Sequence, residues 1–146
     1  MSLLKNVKVT RVAASAVAGT TDVAGSILDM AGFDGVLFLA LTGDVTDTSV
    51  LTLKAQQNVA NQTSGMANLA GTASFTAGAT SADSKVLLLD VYKPRERYVR
   101  PVLTRATANA VVDGIIAIQY DARNRPSVQD ASVIASALSN DPNETA

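Results

Sequence analysis

"GVLFLALTGDVTDTSVLTLKAQQ", residues 35–57, decides the fold. Its first part, Val36 to Gly43, is a short continuous apolar run and reads as a fully buried strand. The Asp- and Thr-rich stretch 43–49 is a turn, because those side chains bond readily to their own backbone. After it, Leu51, Leu53 and Ala55 alternate with Thr52, Lys54 and Gln56. That is a period of two, which places alternate side chains on opposite faces of a strand.

The same period extends outward in both directions. Toward the N-terminus, Val7, Val9 and Arg11 alternate with Lys8 and Thr10, which predicts a first strand near 5–12. Residues 13–26 are a loop or a weak strand, and 26–30 a short one. Toward the C-terminus, the small polar residues 58–84 predict a long loop with short strands around Leu69 and Phe75. Strands follow at 85–92, 97–105 and 110–122, separated by turns at 93–96 and 106–109. Pro94 presets φ in the first of these turns. Pro101 points to an edge or a bulge, and Gly114 to a bulge. Residues 36–42, 86–92 and 111–119 are expected among the central strands. One helix pattern appears near the end, capped by Asp130, with Ala131, Ile134, Ala135 and Leu138 on one face. The expected fold is all-β: an antiparallel β-sandwich or jelly roll over residues 1–126. A C-terminal arm, 127–146, adds a short helix and an extended acidic tail.

Composition narrows the chemistry. The chain of 146 residues has a net charge of −1, so it carries no global field to hold nucleic acid or an anionic membrane. It has no histidine and no cysteine. The commonest general base, the commonest transition-metal ligand and every thiolate site are therefore missing. No phosphate-cradling glycine pattern and no calcium-loop spacing occurs. These features argue against an enzyme and give no reason to expect a cofactor or a metal. The longest apolar run is 35–41, far short of the about 20 residues that cross a bilayer. No leader-like segment opens the chain, so synthesis in the cytoplasm is expected.

Charge is unevenly placed. Residues 12–53 hold no lysine or arginine, whereas 91–105, read as a basic hairpin, holds Lys93, Arg95, Arg97, Arg100 and Arg105. Tyr98 lies among them, and Arg123 and Arg125 follow the last strand. A solvated sheet face with salt bridges has this look, and so does a protein–protein seam rich in arginine. Nucleic acid fits less well, because Asp90 and Glu96 sit in the same stretch. With three Phe, three Tyr and no Trp, the private core is modest, which favours a subunit stabilised by its neighbours.

The runs "LKNVKVTRV" (4–12), "LTLKAQQ" (51–57), "VYKPRERYVRPVLTRATANAVVDGIIAIQYDAR" (91–123) and "RPSVQDAS" (125–132) resemble the small head proteins of tailed bacteriophages. The resemblance covers most of the chain and implies a decoration (cement) protein of jelly-roll type. Such a protein would sit on the capsid exterior of the virion as a homotrimer and bridge neighbouring copies of the major capsid protein. It implies no role for any single residue. A head–tail connector or tail-tube subunit is the alternative within virion proteins, and a carbohydrate-binding jelly-roll module the alternative outside them.

Overall fold

Val36, Phe38 and Ala40 are wholly buried, and so are Leu51, Leu53 and Ala55. In the computed structural model, which describes residues 2–139, they belong to one core between two antiparallel sheets. After a single helical turn, α1 (Leu3–Asn6), come eleven strands. They are β1 (Lys8–Ala13), β2 (Ala16–Gly19), β3 (Val23–Ala24), β4 (Leu28–Asp29), β5 (Gly35–Val45) and β6 (Val50–Asn58). Then follow β7 (Ala67–Asn68), β8 (Ala73–Thr76), β9 (Val86–Tyr92), β10 (Tyr98–Ala106) and β11 (Ala110–Tyr120).

The first sheet runs β1-β11-β5-β9, with β2 also on β11. The second runs β3-β10-β6-β7, with β4 on β10 and β8 on β6. Strand pairs therefore nest as β6 with β7 and β8, β5 with β9, β3 and β4 with β10, and β1 with β11. That is one long hairpin wound around a barrel axis, the topology of a jelly roll. The expected all-β sandwich is the fold of this chain.

Several local expectations hold. Gly114 interrupts the β11–β5 register and has φ +139°, so it forms the bulge. A Cβ there would come within 2.9 Å of the Ala13 carbonyl oxygen. Pro101, by contrast, marks neither an edge strand nor a bulge, since β10 lies between β6 and β3/β4 and its register with β6 is unbroken; it sits opposite Ala55, in the gap between the stretches of β10 that pair with β3 and β4. Its carbonyl accepts Gly25 N–H at 2.8 Å on that interrupted side. A residue's N–H and C=O point the same way in an antiparallel strand, so the missing proline donor costs no bond to β6. β7 and β8 lie close to the predicted positions at Leu69 and Phe75.

Others are corrected. Residues 91–105 are not a hairpin: β9 pairs with β5 in the first sheet, and β10 with β6 in the second. The 93–97 segment is a corner between sheets. β9 is an edge strand rather than a central one, because β5 alone pairs with it. No helix forms in 127–139, which has no regular secondary structure apart from one turn at Ala131–Ser132. Asp130 does act locally, its Oδ2 accepting Ser132 N–H at 2.9 Å and Ser132 Oγ–H at 2.7 Å. The apolar stripe has nothing to pack on, however, and Ile134 is 99% exposed. A helix this short needs tertiary packing to persist. The acidic tail expected at the end of the chain falls mostly at 140–146, outside the described residues.

The two outer faces differ in kind. On the second sheet Thr52, Lys54, Gln56, Arg100 and Thr104 point outward, with Val50 and Val102 among them, a mostly polar set. On the first sheet Leu37, Leu39 and Leu41 point outward, beside Ile116, Ile118, Val86 and Leu88. The apolar run of β5 is thus buried on one face only. No helix of the described residues is long and apolar enough to cross a membrane.

Candidate protein-interaction site

At the end of the sandwich where β9 crosses to β10, three segments are stitched together. Lys93 N–H donates to the Asp34 carbonyl at 2.7 Å, Met30 N–H to the Arg97 carbonyl at 2.8 Å, and Arg123 N–H to the Gly32 carbonyl at 2.9 Å. Between them lies an open cleft of about 820 Å³, with Lys93, Arg95, Arg97 and Arg123 on its walls. The carboxylates Asp34 and Glu96 line it as well. Met30 and Phe33 supply an apolar floor.

Lys93 adopts a left-handed backbone (φ +52°), uncommon for a side chain of this kind, and Pro94 follows it. Together they turn the chain out of the first sheet and project 93–97 over the cleft. The Lys93 ammonium lies 5.3 Å from the Tyr92 ring centroid, within cation–π range. Tyr92 stacks in parallel with Tyr120 at 6.3 Å between centroids. Tyr120 in turn donates its hydroxyl to Asp90. Burial, then Asp90, raises the Tyr120 phenol well above its ordinary range.

Two of the four cleft cations are already paired. Arg97 grips Asp29 with two parallel bonds of 2.8 Å, Nε to Oδ1 and Nη2 to Oδ2. That hydrogen bond holds the Asp29 carboxyl below its usual value and raises the guanidinium further. Arg123 Nη2 meets Asp34 Oδ1 at 3.0 Å. Lys93 and Arg95 have no salt-bridge partner among the described residues. Such a cleft suits an acidic side chain of another protein. A nucleic-acid backbone would instead require a row of unopposed cations.

The remaining sequence candidates disperse. Tyr98 stays beside the cleft, its ring 5.3 Å from the Arg97 guanidinium. Arg100 faces outward on the second sheet and donates to Gln56 Oε1 at 2.9 Å. Arg125 is exposed on the segment leading into the arm. Arg105 is a correction, because it is 5% exposed and cannot belong to a surface seam. It points inward at the opposite end of β10. There it donates to the carbonyls of Thr21 (2.8 Å), Val17 (2.8 Å) and Ala110 (2.6 Å), and to Thr21 Oγ1 (3.1 Å). Alternation along β10 with Val99, Pro101 and Leu103 turned inward would have signalled this orientation.

Two features escaped the sequence. Asp29 and Asp34 are the cleft's counter-charges, brought in from 68 and 89 residues away. The outward aliphatic face of the first sheet was hidden by a continuous apolar run, which looks the same whether one face or both are covered. Among the described residues no three acidic, histidine or cysteine side chains converge to hold a metal ion.

No protein-family model matches the chain, and no curated protein matches it. Among solved structures it is similar to the Eiger TNF of S. frugiperda, with 8% identity and a TM-score of 0.40. That likeness covers 86% of this chain and 92% of the other.

Proposed function

We propose that this chain is a non-catalytic structural protein of a tailed-phage virion. It decorates the capsid exterior and bridges neighbouring major capsid proteins, associated with itself as a homotrimer. The observation that supports this reading best is the mixed-charge corner cleft. A rigid sheet crossover presents Lys93 and Arg95, while Arg97 and Arg123 are already paired in place. A surface with two cations that have no salt-bridge partner among the described residues, beside two paired ones, suits the carboxylate of a protein loop. Linking several such contacts through an oligomer multiplies weak affinities into firm attachment.

The experiment is binding to purified capsid shells that lack decoration, followed by cryo-electron microscopy. Density on the outer capsid surface, with the 93–97 corner against a capsid subunit, is the expected result. Density in a ring at the head–tail vertex or along the tail tube would replace this reading with the connector or tube alternative. Absence from the particle altogether would overturn the virion assignment.

A further inference from the structure

The outward side chains of the first sheet form rows across its four main strands. Leu39 is flanked by Ile116 on β11 and Leu88 on β9. Leu37 has Ile118 beside it on one side and Asp90 on the other. Leu41 has Val86, and Ile118 continues to Val9 on β1. Eight aliphatic side chains thus lie side by side on a solvent-facing surface. Leu88 is 54% exposed and Val86 48%. The other sheet of the same molecule turns mostly threonine, lysine, glutamine and arginine outward, with Val50 and a covered Val102, so the continuous apolar face is specific to this sheet.

We propose that a second copy of this chain packs on the outer face of the first sheet. Three observations favour that occupant. The first is area. Four strands about 4.8 Å apart, over the seven residues of β9 at about 3.4 Å each, give the face roughly 450 Å² in projection. This is rather more than half of the ~800 Å² that each partner contributes to a standard interface. It matches the largest patch of a typical monomer, about 300–600 Å², a size that is often functional. The second is charge. The face has one outward cation on its β1 edge, Arg11, and one outward carboxylate on its β9 edge, Asp90, in rows adjacent by backbone register. Within one copy the Arg11 guanidinium donates to the Ala13 (3.3 Å) and Asp113 (2.9 Å) carbonyls, and Asp90 accepts the Tyr120 hydroxyl. A rotation axis along the strands, two-fold or three-fold, sets the β1 edge of one copy against the β9 edge of another. Arg11, swung off those carbonyls, then meets Asp90, and the face complements itself. The third is sequence. Residues 36–41 have the continuous apolar pattern of a strand covered on both sides, and one chain covers only one.

The interface concerns the same partner that the proposed function invokes, but it stands on the geometry of this sheet. The test therefore uses the isolated protein without capsids, so that the two readings fail separately. Sedimentation equilibrium of the full chain at micromolar concentration is expected to give an oligomer. Leu88→Glu, an exposed position, is expected to weaken self-association at least a hundredfold while circular dichroism stays that of a folded β protein. Leu88→Thr, which keeps a strand-compatible side chain, should weaken it about tenfold and serves if the charged variant does not fold. Asp90→Arg and Arg11→Glu should each weaken association, and the two together should restore it, which a merely structural role would not do. A monomeric wild type, or an oligomer that folded Leu88 variants leave intact, overturns the proposal. Lack of rescue by the double reversal overturns the Arg11–Asp90 contact.

Discussion

Gln129 Oε1 accepts the backbone N–H of Val9 at 2.7 Å, across 120 residues of sequence. The same amide donates from Nε2 to the carbonyls of Leu4 (3.0 Å) and Val7 (2.8 Å). One step further along the arm, Ser132 Oγ accepts the N–H of Arg11 at 2.9 Å. Val9 and Arg11 are the β1 residues whose amides point away from β11. An exposed strand edge is a template for unwanted pairing. Here the arm covers it with side chains, holding position without becoming a strand itself.

Replacing Gln129 by alanine should therefore release the arm before it unfolds the sandwich. Three bonds are lost at once, and a net cost of about 1–2 kcal/mol is expected after water re-solvates the partly exposed partners. Hydrogen exchange should show lost protection at the amides of Val9 and Arg11, and limited proteolysis should cut sooner within 127–139. Unchanged protection at both amides would show that the arm does not guard this edge.

The arm should also loosen in acid. The Ser132 N–H and hydroxyl hold the Asp130 carboxyl below its ordinary value of 3.8. A carboxyl depressed in the folded state contributes stability that is fully present above the unfolded value. That contribution fades as pH falls through the folded value. The protection factor of the Ser132 amide, taken against the intrinsic rate at each pH, should thus fall below about pH 4, and Asp130→Asn should flatten that dependence. An identical pH profile in the variant would rule out Asp130 as the group responsible.

Arg105 and Arg97 should behave oppositely when truncated. Arg105→Ala strips the donor from carbonyls of Val17, Thr21 and Ala110 at a buried site, for an expected loss of about 2–3 kcal/mol in chemical denaturation. Arg97→Ala opens an ion pair whose side chains are 57% and 46% exposed, where solvent screens the charges, and the unfolding midpoint should not move. Equal effects would mean that the burial contrast between the two ends of β10 has been misjudged.

Lys93→Glu combined with Arg95→Glu should leave the fold intact, since neither side chain has an internal ion-pair partner among the described residues. Attachment to capsid shells should weaken at least tenfold, and raising the salt should narrow the gap between variant and wild type. Attachment unaffected by the double reversal would remove the corner cleft from the capsid contact.

Local pattern determined much of this molecule. Alternation placed Leu51, Leu53 and Ala55 inward, and the glycine at 114 and proline at 101 marked a bulge and an interrupted pairing. Each of these is a property of a residue and its immediate neighbours, set by the strand period or by backbone sterics. Tertiary structure alone decided which sheet each strand joined, and with it the rest. It separated β9 from β10, gave the inward Arg105 its carbonyl partners at Val17 and Thr21, and brought Asp29 and Asp34 under the basic corner. It also left Leu37, Leu39 and Leu41 facing outward, and kept Ala131–Leu138 from coiling. These outcomes depend on pairings between residues tens of positions apart. A strand's periodicity records that it has two faces, but not which partner covers each of them.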